Sequence, residues 1–161
     1  MLNILELDNN IRGKIGEELA SQFISGGIRC KYTNPQITEK WNISDEEELF
    51  LKNVWKYLDY IRFNSNTKCV EIFEIKTRKS EWANKYKHAV SPYMMDVFRT
   101  SIRFGWKVKI LEIIFYRDWN FSYRIKRFQY SLFSISKSRG LNGSRKRGLF
   151  IILKNILIKK E

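Results

Sequence analysis

The chain contains one histidine, two cysteines and two prolines among its 161 residues. A lone histidine, His88, rules out a histidine-rich metal centre and any mechanism that needs two imidazoles. Two cysteines, Cys30 and Cys69, cannot build a disulfide scaffold or a zinc site of ordinary spacing. Both lie in apolar, strand-like contexts, which suits buried thiols; a bridge between them would act mainly on stability. Long apolar runs are also missing. The most apolar stretch, "LFIILKNILI" (residues 149–158), is interrupted by Lys154 and is too short to span a bilayer. No N-terminal segment reads as a signal peptide. The expected class is a soluble, intracellular (cytoplasmic) protein with no membrane partner.

Acidic residues are scarce in one half only. Residues 1–98 carry 14 basic and 14 acidic side chains, whereas residues 99–161 carry 16 basic and 3 acidic ones. The whole net charge of +13 therefore comes from the C-terminal part. Such a surplus suits either a solubilising surface or a phosphate-binding face on a neutral framework. Hydrophobic residues at 43% supply a real core, and the length suits one domain over residues 1–161, with a core near 8–130 and a basic extension at 134–161.

The order of elements follows from periodicity. Residues 8–25 read as a helix with an N-cap at Asp8–Asn10 and an apolar stripe of Ile11, Ile15, Leu19 and Phe23. Gly13, Gly16 and Ala20 form a second, small-residue face beside Glu17, which makes sense if something packs closely there. Residues 28–33 read as a short strand. The acidic cluster Asp45–Glu48 reads as a solvated loop or a helix start. Residues 54–63 and 68–77 read as two antiparallel strands joined by a turn at 64–67. Ser91 and Pro92 open the next helix. Residues 107–116 form a near-continuous apolar strand, expected to be central, and 121–133 suggest one or two more. The expectation is an α/β fold, α-β-β-β-α-β, with one mixed sheet flanked by helices.

Charges interrupt two apolar strand faces. Asp59 shares a predicted face with Trp55, Tyr57, Ile61 and Phe63. Glu74 and Lys76 share one with Val70 and Ile72, since side chains alternate across a strand. Isolated charges on buried faces are costly. Asp59 and Glu74 on neighbouring strands would repel unless a cation lay between them, and Mg²⁺ takes such hard oxygen ligands. The same spacing also suits a surface ion pair, Asp59–Lys76 or Glu74–Lys76, at a sheet edge.

These residues resemble the PD-(D/E)XK nuclease superfamily, and within it the archaeal Holliday junction resolvases. The likeness rests on "GKIGE" (Gly13–Glu17), "LDYI" with Asp59, and "EIKTRK" (Glu74–Lys79), within residues 11–116. It departs from the family at Leu58, where proline is usual, and in the helix "SPYMMDVF", which carries no glutamine. The segment 34–51 is longer than expected, and the basic extension is additional. The resemblance implies a restriction-endonuclease-like core and a metal-dependent deoxyribonuclease. Asp59, Glu74 and the Ile75 backbone carbonyl would bind Mg²⁺ (or Mn²⁺), and Glu17 would support the metal directly or through water. Lys76 would orient the attacking water. A homodimer acting on duplex or branched DNA is implied, and the similar layouts of small nucleases of archaeal viruses and plasmids imply a mobile-element origin. Arg78, Lys79, Lys85, Lys87, Arg139, Arg145, Lys146 and Arg147 are the candidate DNA contacts, with Trp82 and Tyr86 between them. The alternatives are a non-sequence-specific nuclease or exonuclease of the same superfamily, and a non-catalytic nucleic-acid-binding module. A membrane-surface protein using the basic tail is a further, weaker class.

Overall fold

A computed structural model describes residues 4–118 and 120–135. Five strands form one mixed sheet in the order β1-β2-β3-β5-β6: β1 Ile28–Arg29, β2 Tyr60–Asn64, β3 Cys69–Lys79, β5 Lys107–Phe115 and β6 Phe121–Arg127. Two further strands, β4 His88–Val90 and β7 Phe133–Ile135, pair in parallel as a separate small sheet. The helices are α1 Asn9–Ala20, α2 Asp45–Val54 and α3 Pro92–Arg103. Within the main sheet β3 is antiparallel to β2 and parallel to β5. A parallel pair needs a crossover connection, and the segment containing α3 supplies it.

Strand alternation gives β3 two kinds of neighbour. Phe73 and Ile75 pack with Ala20, Ile24, Leu111 and Ile113 on the α1 side. Val70 and Ile72 pack with Phe50, Leu51, Val97 and Phe98 on the α2 and α3 side. The sheet is thus covered on both faces, which is why β5 reads as a near-continuous apolar run.

Local signals explain most element ends. Asp8 caps α1 by accepting from the Ile11 N–H at 2.9 Å, and Ser91 caps α3 by accepting from the Met94 N–H at 3.1 Å. The acidic cluster is a helix start. Ser44 and Glu47 form a reciprocal capping box, and Asp45–Glu48 fill the first turn of α2, where carboxylates favour the positive end of the helix dipole. That helix corrects the expected strand over 54–63. It runs to Val54, Trp55–Tyr57 form a 3₁₀ turn, and strand pairing begins only at Tyr60. Trp55 and Tyr57 therefore share no strand face with Asp59. The expected strand 28–33 shortens to β1; beyond it Tyr32 takes a left-handed φ of 66°. The expected helix 8–25 ends at Ala20, and the one or two strands expected over 121–133 are two, β6 ending at Arg127 and β7 beginning at Phe133 after a 3₁₀ turn. Both cysteines are free thiols, Cys30 buried and Cys69 half-buried.

The buried line of α1 is Arg12, Gly16 and Ala20, while Ile11 of the expected apolar stripe is exposed. A Cβ built on Gly16 would lie 2.2 Å from Thr77 Cγ2, so only glycine lets α1 reach β3 this closely. Gly16→Ala should destabilise by about 1–2 kcal/mol, the overlap outweighing the helical gain of about 1 kcal/mol. Thr77→Ser removes the obstructing methyl. In that background the same substitution should stabilise, a reversal readable by urea unfolding.

Candidate active site

The β2–β3 pairing brings the candidate residues together where β2 begins against the middle of β3, and the α1–β3 contact adds Glu17. Glu17 lies one residue beyond Gly16, and its backbone carbonyl accepts from the Tyr60 hydroxyl at 2.7 Å. Asp59 lies immediately before β2, held from two sides. Its backbone carbonyl accepts from the Cys30 N–H at 2.9 Å. Its carboxylate accepts from the Ile75 N–H at 2.8 Å. The second of these ties the start of β2 to the middle of the Glu74–Ile75–Lys76 motif.

Asp59 and Glu74 are both buried, at 5% and 8% exposure. Burial pushes the Asp59 carboxyl up to about 7, with the Glu74 charge adding to the rise; Lys31 and the Ile75 N–H oppose it. Two buried carboxylates near one another are an environment that a cation relieves. Lys76 answers part of this, its ammonium lying 2.9 Å from Glu74 Oε1 and donating to the Ala89 carbonyl at 3.3 Å. Burial alone would lower the Lys76 pKa, but the Glu74 carboxylate outweighs it and raises it. Lys76 therefore remains an ammonium at neutral pH. In that form it can stabilise negative charge or orient a water.

Lys31 is the residue that sequence reasoning missed. Its ammonium lies 2.7 Å from Glu17 Oε1 and 2.7 Å from Asp59 Oδ1. Arg29 adds a contact to Glu17 at 3.3 Å and an ion pair with Glu18. Glu17 is thus joined to Asp59 through a lysine. Among the described residues no three carboxylate, histidine or cysteine side chains are grouped so as to hold a metal ion. The fit to a divalent cation rests on the Asp59–Glu74 pair, an all-oxygen donor set whose mutual repulsion such an ion would relieve.

Beyond Lys76 the strand departs from expectation. Arg78 turns inward: its side chain is 9% exposed, its Nε lies 3.9 Å from Glu112, and its Nη1 donates to the Trp82 carbonyl at 3.3 Å. It is a buried network member before it is a surface phosphate contact. Lys79 stands over the Trp82 ring at 4.9 Å, and Lys85, Tyr86 and Lys87 are exposed. Arg139, Arg145, Lys146, Arg147 and the apolar stretch 149–158 lie outside the described residues. Glu71, on the opposite face from Glu74, is buried and paired with Arg62 and Lys109.

A second charged network, centred on Glu112 of β5, was not foreseen. Glu112 is directly paired with Lys76 across the β3–β5 ladder. It contacts His88 at 2.7 Å, Arg124 at 2.5 Å and Lys126 at 3.5 Å. Burial pushes the Glu112 carboxyl up, but hydrogen bonds from His88 and Arg124 outweigh it and hold it at about 2. Burial lowers the His88 pKa despite the Glu112 contact, so the imidazole is neutral at pH 7 and Nε2 is the donor. A depressed carboxylate stabilises the fold above its unfolded value of 4.5, and that contribution disappears as the pH falls toward about 2. Glu112→Gln should flatten the acid limb of the stability–pH curve between those limits, as followed by urea unfolding at a series of pH values.

No helix among the described residues is long and apolar enough to cross a membrane. In comparison with known proteins, no protein-family model and no curated protein matches this chain.

Proposed function

We propose that the protein is a metal-dependent DNA endonuclease with a restriction-endonuclease-like core. The observation that carries this reading is the pairing of two buried carboxylates, Asp59 and Glu74, where β2 begins against the middle of β3, with the Lys76 ammonium 2.9 Å from Glu74. Asp59, Glu74 and the Ile75 carbonyl would hold Mg²⁺ or Mn²⁺. When bound, such an ion activates water and offsets charge on phosphoryl oxygens. The chain's own part is positional and electrostatic. The Ile75 N–H fixes the Asp59 carboxylate, and burial keeps bulk water from screening it. Lys76, anchored between Glu74 and the Ala89 carbonyl, places a fixed positive charge where negative charge grows in the transition state. Lys79, Lys85 and Lys87, with exposed Trp82 and Tyr86, would engage the sugar–phosphate backbone. A four-way junction requires two cuts, which a homodimer would supply.

One observation favours a second reading, a non-catalytic nucleic-acid-binding module. Lys31 already supplies a cation between Glu17 and Asp59. Incubating the protein with labelled duplex, single-stranded and four-way-junction DNA, with Mg²⁺ and with EDTA, separates the two. Metal-dependent cleavage of any of these supports the enzyme. Binding without cleavage at any metal concentration would leave the binding module.

A further inference from the structure

The Glu112 network opens onto a cavity of about 390 Å³. Its walls carry Arg78, Arg124, Lys126, Lys85 and Lys87. Five cationic side chains thus share this space with one carboxylate, and His88 adds a neutral imidazole. Arg78 is the buried one of the five, Arg124 and Lys126 are partly exposed, and Lys85 and Lys87 stand exposed at the rim.

The hydrogen-bond inventory points the same way. Glu112 Oε1 accepts from Arg124 Nε at 2.8 Å, and Oε2 accepts from His88 at 2.7 Å. Lys126 Nζ donates to Oε2 as well, at 3.5 Å, so the carboxylate's capacity is largely spent on three partners. Arg78 Nε is buried 3.9 Å from Glu112 and has no hydrogen-bond partner. The Lys85 and Lys87 ammonium groups have no hydrogen-bond or ion-pair partner among the described residues. Donors therefore outnumber acceptors around the cavity. Glu112 and Asn84, whose Oδ1 accepts from Arg124 Nη2 at 2.6 Å, hold the Arg124 fork in a fixed orientation. With Nε and Nη2 engaged by Glu112 and Asn84, Nη1 is the donor group that Arg124 has left for an oxyanion, and lysines on the rim add charge without fixing geometry.

We propose that this cavity is a binding site for a phosphate monoester. Several cations around a concave space favour a dianion over the singly charged diester of a continuous strand. The ligand is either the terminal phosphate of a nucleic-acid strand or a free phosphate. The cavity shares Arg78, Tyr86, Lys87 and His88 with a neighbouring one of about 550 Å³ that Lys76 lines. A strand end seated on Arg124 would thus lie across β5 from Lys76, two strands away in the sheet. The phosphate site does not depend on cleavage, and its test is run in EDTA.

Melting of the full chain is followed with inorganic phosphate against chloride at equal ionic strength. In parallel, anisotropy measures the binding of one labelled oligonucleotide with a 5′-phosphate, a 3′-phosphate or hydroxyl ends. Phosphate should raise the melting temperature. A strand-end ligand should also bind about tenfold tighter with one phosphate position than with hydroxyl ends, the gain expected of one or two charge-assisted hydrogen bonds. Stabilisation by phosphate with no preference among the oligonucleotides assigns the site to a free phosphate. Arg124→Gln should abolish either effect. The double variant Lys85→Ala, Lys87→Ala, altered only at exposed positions, should weaken it and keep its fold. The proposal is overturned if neither phosphate nor a strand end has an effect. It is equally overturned if the effect survives unchanged in the double variant.

Discussion

Asp59→Asn should reduce Mg²⁺-dependent DNA cleavage by roughly 10³-fold or more, the scale of several kcal/mol lost from the transition state. DNA binding in EDTA should remain at the parental level. The substitution is nearly isosteric, and an amide oxygen can still accept from the Ile75 N–H that holds Asp59 in place. The start of β2 therefore stays anchored while the charge is lost. Stability is a separate readout. A carboxyl raised to about 7 is one whose ionised form the fold disfavours, so neutralising it should leave the melting temperature unchanged or higher at neutral pH. Cleavage at the parental rate by the folded variant would remove Asp59 from the chemistry, and the nuclease reading with it.

The second large effect belongs to Lys31. Lys31→Met leaves Asp59 buried without its nearest cation. Breaking a buried ion pair from one side is costly only while the stranded partner stays charged. Asp59, raised to about 7, takes up a proton instead at neutral pH, so the loss grows with pH at about 1.4 kcal/mol per unit above 7. Unfolding in urea at pH 9 should show a loss of about 2–3 kcal/mol when metal is absent, against less than about 1 kcal/mol at pH 7. If Asp59 and Glu74 receive a divalent cation, Mg²⁺ takes over part of the missing charge. At about a hundred times its Kd it would return about 2.7 kcal/mol. A loss that is identical with and without Mg²⁺ would show that the lysine is structural and that no ion competes for its place.

Much of this was legible in the sequence because it is local. Asp8 and Ser91 are caps that act within three residues. The small-residue face of α1 announced a close approach, and Gly16 against Thr77 is that approach. Glu74 and Lys76 two apart on one strand had to share a face. Lys31 was not legible, since nothing near it in the chain distinguishes it from other basic residues. Its role comes from β1 pairing antiparallel with β2, which carries the residues after Arg29 past Asp59. The misplaced strand at 54–63 had a different cause. Alternating aromatic residues imitated a strand period, while the Ser44–Glu47 capping box committed the preceding segment to a helix. Glu112 could have been found. It is a lone carboxylate inside "KVKILEIIF", the same kind of interruption that drew attention to Asp59.

The small β4–β7 sheet gives the fold a mechanical linkage. Ala89 of β4 is in register with Ser134 of β7, and the Ala89 carbonyl is one of the two anchors of the Lys76 ammonium. A pull on the strand at Phe133–Ile135 is thus felt at the amine through one backbone pairing and one hydrogen bond.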